Sequence, residues 1–192
     1  MIPSYYAIPI GVLWVLLPTY VANALATLPR GRGPPMDFGR TWTGDGRRIL
    51  GPSKTWSGFL FGGFVALPVV LLQAWLILHA PPNLAIVPTL APSVAAAVPV
   101  GAILTFGAMT GDAIGSFIKR RLDRPSGSRT WFLDQLPFVL VPIALGFAFY
   151  PALFWLTFGS WEAALWVVLF TVPLHWAFNW VGYKAGWKKV PW

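Results

Sequence analysis

Two aspartates stand where an uncharged stretch of the sequence meets a strongly basic one. Asp112 directly follows a run of 57 residues without a charge, and Ser116 and Lys119 follow it at i+4 and i+7. On a helix, these three side chains project from one face. Asp134 lies after the short basic segment that begins at Lys119. Two carboxylates at one level beneath several cations are typical of a site that holds Mg²⁺ and takes up phosphate charge.

Each aspartate also has a purely structural interpretation. Asp112 can simply pair with a neighbouring base, and Asp134, just before Pro137, has the features of a residue that caps a helix. Ionisable groups at membrane depth are costly and usually functional, which favours a site at Asp112. The matching depth of Asp134, among five bases, favours the same role for it.

A further anion-binding feature lies at residues 51–58, GPSKTWSG, where Lys54 and two hydroxyl residues precede an apolar run. The N-terminus of a helix favours phosphate through its free N–H groups and its dipole. Ser53 or Thr55 can equally be a plain N-cap. The glycine spacing of residues 46–53 matches a P-loop, but Pro52 stands where the lysine belongs, which argues against a Walker site.

The composition indicates that lipid surrounds the elements carrying these residues. Hydrophobic residues make up 56% of the chain and charged residues only 10%, too few to cover a water-soluble domain. Uncharged runs of 29, 57, 27 and 21 residues leave room for five spans of about 20 residues, the longest run holding two. We therefore predict an all-α polytopic protein forming a single transmembrane domain over 1–192, with spans near 5–28, 55–78, 85–111, 134–158 and 163–183.

The basic residues predict the orientation of these spans. All 14 fall in the segments near 29–54 and 119–133 or in the C-terminal tail. The positive-inside rule puts these segments and the C-terminus in the cytoplasm and the N-terminus outside the cell membrane. This rule also explains the net charge of +8, so we predict no nucleic-acid partner. The long 29–53 segment suggests a functional or lid-like loop.

Small and polar residues inside the spans give two packing predictions. The glycine stripes at Gly58 and Gly62 and at 107, 111 and 115 predict close contact between the second and third spans. This contact would bring Lys54 to Asp112. Asn23 in the first span, with His175 and Asn179 in the last, either line the same cavity or only bond to other helices; the sequence leaves both possibilities open.

Taken together, the motifs resemble those of the CTP:phosphatidate cytidylyltransferases. Residues 51–58 resemble that family's Ser-Pro-Lys-Lys-Thr-Trp-Glu-Gly segment, and GD at 111–112, SFIKR at 116–120 and LDQL at 133–136 follow the order of its C-terminal signature. The chain departs from the bacterial enzymes at Ser57 and Gln135, where they carry glutamate and arginine, and lacks their His-Gly-Gly element. With its short length and five predicted spans, it is most similar to the archaeal branch, the CDP-archaeol synthases.

The resemblance implies transfer of CMP from CTP to the phosphate of an archaeal ether lipid, 2,3-di-O-geranylgeranylglyceryl phosphate, with release of pyrophosphate. It implies Mg²⁺ at Asp112 and Asp134, and catalytic roles for these two residues and Lys119. The CTP and phosphate ligands that we predict are Asn23, Ser53, Lys54, Thr55, Ser116, Arg120 and Arg121.

Three other functions stay open at this level. An ester-lipid phosphatidate cytidylyltransferase would share the motifs, and a CTP-dependent polyprenol kinase would share the substrate CTP. A transporter would need charge along the whole pore, whereas the outer halves of these spans are almost wholly apolar. Homo-oligomerisation is possible but nothing in the sequence indicates it.

Overall fold

A computed structural model describes residues 4–81, 87–188 and 190–191 of the chain. Within these residues the fold is all-α, with no strand and only two isolated bridges, Pro35–Thr55 and Thr41–Arg48. Six helices follow one another: α1 (Ser4–Leu25), α2 (Trp56–His79), α3 (Ala97–Arg121), α4 (Pro137–Phe149), α5 (Pro151–Phe158) and α6 (Trp161–Lys184). The all-α prediction is confirmed.

Four of these helices are long and apolar enough to cross a bilayer: α1, from Ala7, and α2, α3 and α6. The starts of α2 and α6 follow from hydroxyl caps. The Thr55 side chain accepts a hydrogen bond from the Gly58 N–H at 3.2 Å, and Ser160 accepts one from the Ala163 N–H at 3.2 Å. Such caps satisfy N–H groups that have no partner within the helix.

The predicted fourth span is not one continuous helix. It divides into the 13-residue α4 and the 8-residue α5, separated at Tyr150, with Pro151 opening α5. The Phe154 ring packs onto Gly146, so closely that a Cβ there would lie 2.1 Å from it. In a straight helix these residues would be about 12 Å apart along the axis, so the chain bends sharply here. The count of five spans therefore stays a prediction, as does the orientation of the termini.

The third span also begins later than predicted. The predicted start at residue 85 lies outside the described residues, and residues 87–96 are not helical before α3 begins at Ala97. Pro88 and Pro92 lack the N–H that a helix interior requires, which explains the delay. At its other end α3 runs ten residues past Gly111 to Arg121. One continuous helix therefore carries Asp112, Ser116, Lys119, Arg120 and Arg121.

Helix α1 lies at the centre of the bundle, in contact with α2, α3 and α6 and more lightly with α4 and α5. Its buried polar side chains bond across to its neighbours. Thr19 donates to the Leu104 carbonyl of α3 at 3.2 Å, and the Tyr20 hydroxyl lies 3.0 Å from that of Thr171 in α6. Apolar side chains such as Leu156, 77% exposed, cover the outside. The fold therefore fixes the ends of α2, α3 and α6 relative to one another.

Candidate active site

Two short ion pairs form the centre of the candidate site. Lys54, just before the α2 cap, places its Nζ 2.5 Å from Oδ2 of Asp112 in α3. About two turns further along α3, Lys119 places its Nζ 2.5 Å from Oδ1 of Asp134. The side chains are one-seventh to one-third exposed. The predicted approach of Lys54 to Asp112 is confirmed, and both aspartates are held among cations.

Gly111 and Gly115 of α3 lie against the chain that carries Asp134, the partner of Lys119, rather than against α2. A Cβ at Gly111 would lie 2.1 Å from the Pro137 carbonyl oxygen, and one at Gly115 would lie 2.8 Å from that of Leu133. The predicted contact between the second and third spans is present, but these α3 glycines do not form it. These glycines instead let the chain around Asp134 lie directly against α3, within reach of Lys119.

The glycines of α2 likewise contact more than α3. A Cβ at Gly62 would lie 2.7 Å from the Ala22 carbonyl oxygen of α1 and equally close to Met109 of α3, whereas one at Gly58 would meet Ala26 at 3.0 Å. Gly58 and Gly62 therefore bring α2 into close contact with α1 as well as with α3. Because α1 also contacts α3, the three helices pack against one another.

Asp134 lies in the loop between α3 and α4, not in the first turn of a helix. Its Oδ2 accepts a hydrogen bond from the Thr130 N–H at 2.6 Å, and its own N–H donates to the Thr130 carbonyl at 3.1 Å. The loop thus turns back on itself and fixes one carboxylate oxygen, while Lys119 contacts the other. The helix-capping interpretation of Asp134 does not apply.

Helix α6 and the C-terminal tail add a third set of polar contacts to the two ion pairs. The Asn179 amide lies 3.0 Å from Nε2 of His175, and Lys188 Nζ donates to Asn179 Oδ1 at 2.7 Å. Burial, with repulsion from Lys54, lowers the pKa of Lys188 to about 8, although Asp112 and Asp134 act in the opposite direction. Lys188 therefore belongs to the same charged cluster, and sequence reasoning missed it because a basic tail already satisfied the positive-inside rule.

The segment between α1 and α2 is a folded loop built around Asp37. Arg48 donates to both carboxylate oxygens, at 2.6 and 3.1 Å, and the N–H groups of Gly39, Leu50 and Gly51 donate to it at 2.9–3.1 Å. Burial alone would raise the pKa of Asp37, but these five donors outweigh it and hold that pKa well below its usual range. The acidic centre of this loop was also missed by sequence reasoning.

Arg121 attaches this loop to the end of α3. It pairs with Asp45 at 3.2 Å and donates to the Arg48 carbonyl at 2.8 Å, and its guanidinium lies 5.0 Å from the centre of the Phe117 ring. Arg47 returns a hydrogen bond to the Arg121 carbonyl at 3.2 Å. Arg121, predicted to bind phosphate, therefore makes several contacts within the protein, although its buried Nε has no hydrogen-bond partner among the described residues.

A basic cleft of about 420 Å³ lies between the folded loop and the segment after α3. Arg120 projects into it, only 9% exposed, and its buried Nε has no hydrogen-bond partner among the described residues. A buried donor without a partner is costly, which points to a ligand. The lining residues are Arg47, Arg48, Gly51, Pro52, Arg120, Asp123, Arg124, Pro125 and Ser126.

The other predicted ligands have more ordinary surroundings. Thr55 is the N-cap of α2, and Ser53 is exposed, its hydroxyl 3.3 Å from that of Ser126 at the cleft. Ser116 is 4% exposed within α3. Asn23 is half-buried in α1. The structure therefore brings the charged residues of the prediction together more clearly than the neutral ones.

The donor set suits a hard divalent cation only with help from a substrate. Among the described residues, no group of three or more His, Cys, Asp or Glu side chains is arranged to hold a metal. Mg²⁺, however, usually takes one or two carboxylates together with substrate phosphates and water. Asp112 and Asp134 fit that pattern, and their present partners are the two lysines.

Comparisons with known proteins agree with one another. Residues 5–192 match the family described as CarS-like, CDP-archaeol synthase. The CDP-archaeol synthase of Thermococcus gammatolerans is 45% identical over 180 residues, 94% of each chain. That of Methanocaldococcus jannaschii is 37% identical over 189 residues, 98% of this chain and 99% of its own. A solved structure of "an intramembrane enzyme for archaeal membrane lipids biosynthesis" is 31% identical with a TM-score of 0.63, covering 87% of this chain and 91% of that one.

Proposed function

Because this chain belongs to the CarS-like CDP-archaeol synthase family, we propose that it transfers CMP from CTP to the phosphate of 2,3-di-O-geranylgeranylglyceryl phosphate. The chain is a CTP-dependent lipid cytidylyltransferase and a multi-pass membrane protein. In the proposed reaction, an oxygen of the lipid phosphate attacks the α-phosphorus of CTP. The bond from that phosphorus to the bridging oxygen breaks, and pyrophosphate leaves.

The single observation that carries this proposal is the pair of contacts Lys54–Asp112 and Lys119–Asp134, both 2.5 Å. Each lysine neutralises a carboxylate. Arriving phosphate groups compete for the lysines, since they carry more charge than a carboxylate. Asp112 and Asp134 would then be free to hold Mg²⁺, which would supply neutralisation and alignment of the phosphate oxygens.

Positioning and charge neutralisation are the chemistry that this reaction requires of the protein. Nucleotidyl transfer to a phosphate needs no general base, because the attacking oxygen is already ionised. Lys54 and Lys119 hold the phosphates in line and stabilise the charge that develops on the leaving group. Lys188 adds a further positive charge at the edge of the cluster.

The basic cleft supports a place for the terminal phosphates of CTP. Arg120 supplies a buried donor that has no partner in the described part of the chain, and Arg124 is exposed at the rim. Planar guanidinium groups bind phosphate oxygens in pairs, which suits a leaving pyrophosphate. We therefore assign Arg120 to the triphosphate, and Arg121 to holding the loop that forms the opposite wall.

The proposed function is tested with purified protein, Mg²⁺ and CTP labelled at either the α- or the γ-phosphate. We expect label in the lipid from α-labelled CTP alone, together with release of pyrophosphate. Label from γ-labelled CTP alone would show a lipid kinase instead. A panel of ether- and ester-linked lipid phosphates decides the substrate, and equal turnover of phosphatidate would remove the ether-lipid assignment.

We also propose that the site faces the cytoplasm and that the N-terminus lies outside. The support is the concentration of basic residues in the two loops and the tail. The chain has no cysteine, so single-cysteine variants report on one position each. A membrane-impermeant maleimide added to intact cells should label Thr89→Cys and spare Ser53→Cys. The reverse pattern would invert the topology.

A further inference from the structure

A second cavity, of about 320 Å³, opens beside the end of α1 and is chemically two-sided. Leu28 and Trp187 give it an apolar wall, and Arg30 and Arg32 give it a cationic one; Pro29 completes the lining. It shares no lining residue with the basic cleft assigned to the triphosphate. A ligand that fills it must therefore combine an anionic group with apolar surface.

The backbone of the two arginines is held in place, while their side chains make no ion pair with any of the described residues. Arg30 and Arg32 donate their N–H groups to the Thr27 and Pro29 carbonyls at 3.0 Å, and Ser57 donates its hydroxyl to the Arg32 carbonyl. Within the described part of the chain, no carboxylate pairs with either guanidinium. Both side chains are exposed, so both are available to an anion.

The depth of the cavity matches that of a lipid headgroup. Helix α1 is an apolar span ending at Leu25, and Arg30 follows it by five residues. Arginines just beyond a span lie at the level of lipid phosphates, and a tryptophan such as Trp187 is typical of the same interface. A free nucleotide needs no apolar wall at this depth, whereas a phosphorylated lipid presents phosphate and hydrocarbon together.

Two connections join the cavity to the reacting cluster. Trp187 directly precedes Lys188, whose side chain bonds Asn179 and interacts electrostatically with both aspartates. On the other side, Ser57 in the first turn of α2 contacts the Arg32 carbonyl three residues after Lys54. A phosphate in this cavity therefore borders the site where the triphosphate is proposed to bind.

We propose that this cavity is the acceptor subsite, which binds the phosphomonoester of the lipid substrate. Arg30 and Arg32 take the phosphate, and Leu28 and Trp187 contact the first part of the hydrocarbon. This assignment rests on the proposed function and adds to it the place from which the acceptor attacks. The basic cleft then binds the nucleotide triphosphate and this cavity binds the lipid phosphate, two anions of similar chemistry.

The test compares Arg30→Gln/Arg32→Gln with a matched variant that loses two charges elsewhere, Arg40→Gln/Lys184→Gln. We expect the KM for dialkylglycerol phosphate in vesicles to rise about tenfold or more, because two charge-assisted contacts are lost. The KM for CTP should stay within about twofold, a bound well below the loss of one such contact. The matched variant should change neither value, and Arg30→Lys/Arg32→Lys should restore part of the lipid affinity. An equal rise in both KM values, or an effect on CTP alone, would overturn the assignment.

Direct binding separates this proposal from the proposed function. Labelled dialkylglycerol phosphate is added without CTP to wild type and to the glutamine variant, in competition with inorganic phosphate or unphosphorylated dialkylglycerol. We expect binding that requires both arginines and that neither competitor displaces at equal concentration. Arginine-dependent binding in this assay, with no CDP-lipid formed once CTP and Mg²⁺ are added, would preserve the subsite and reject the function. Turnover with unchanged lipid binding in the variant, or displacement by inorganic phosphate alone, would reject the subsite.

Discussion

The packing of the chain around Asp134 against α3 predicts a large effect of one added methyl group. In Gly111→Ala the new Cβ would lie 2.1 Å from the Pro137 carbonyl oxygen, 2.6 Å from its carbon and 2.8 Å from the Phe138 Cα. All three are backbone atoms, so no side-chain rotation relieves the contact. The start of α4 must move away by about 1 Å to reach ordinary van der Waals distance.

Asp134 lies three residues before Pro137, so the displacement reaches the carboxylate directly. A misplacement of about 1 Å can lower a rate roughly 100-fold, and overpacking typically costs about 1–3 kcal/mol of stability. We therefore expect kcat of Gly111→Ala to fall about 100-fold. Gly115→Ala should fall less, since its Cβ would lie 2.8 Å from the Leu133 oxygen.

The control is Gly63→Ala, which introduces the same methyl group with a similar overlap on another face. Its Cβ would lie 2.3 Å from the Phe106 ring, a side chain able to move, between α2 and α3. We expect a lower melting temperature in detergent but a kcat within a few-fold of wild type. If Gly111→Ala kept full kcat, or if Gly63→Ala lost as much, the contact would not be what positions Asp134.

Three further perturbations test individual charges. Lys54→Ala should raise the KM for CTP roughly 10- to 100-fold, because one charge-assisted contact is lost. An effect on the KM for lipid alone would show that Lys54 does not contact the triphosphate. The pKa of Asp37 in the folded protein lies below its unfolded value, so the ionised carboxylate should stabilise the fold fully above a pH of about 4 and less below it. Asp37→Asn should lower the melting temperature at neutral pH and flatten this decline. Raising the pH through about 8 removes the charge of Lys188, so the KM for CTP should rise there, and an unchanged profile in Lys188→Arg would exclude that residue.

Most of the helix boundaries that the sequence predicted well coincide with changes in charge. Helices α2 and α6 begin and end within two residues of the predictions, because hydroxyl caps and nearby charges mark both starts and Lys184 marks the end of α6. The end of α2 was predicted from the Ala-Pro-Pro break after His79. The start of α3 and the break at Tyr150 were missed because both lie inside uncharged runs. There only prolines interrupt the pattern, and Pro68, inside α2, shows that a proline need not end a membrane helix.

The site shows the same division. The approach of Lys54 to Asp112 was predicted from the glycine stripes. It holds although the α3 stripe packs against the α4 side, because both residues end the same uncharged run and therefore share a depth. The partners of Asp37 were not, since three of its four partner residues, Gly39, Leu50 and Gly51, donate backbone N–H groups that carry no residue signature. The role of Lys188 depends on the tail folding back to Asn179, a contact that the spacing of bases in a tail does not encode.

We propose above all that Asp112 and Asp134 jointly hold the metal–nucleotide complex once Lys54 and Lys119 have left them to bind the phosphate groups. This proposal is tested most directly by the electron paramagnetic resonance of Mn²⁺ added with a non-hydrolysable CTP analogue. We compare wild type, Asp112→Asn, Asp134→Asn and a remote control, Glu162→Gln, all checked for unchanged melting. We predict nucleotide-dependent Mn²⁺ binding, and turnover of CTP itself in a parallel assay, in wild type and control, and the loss of both in each aspartate variant. Wild-type Mn²⁺ binding with full turnover in either variant would contradict it.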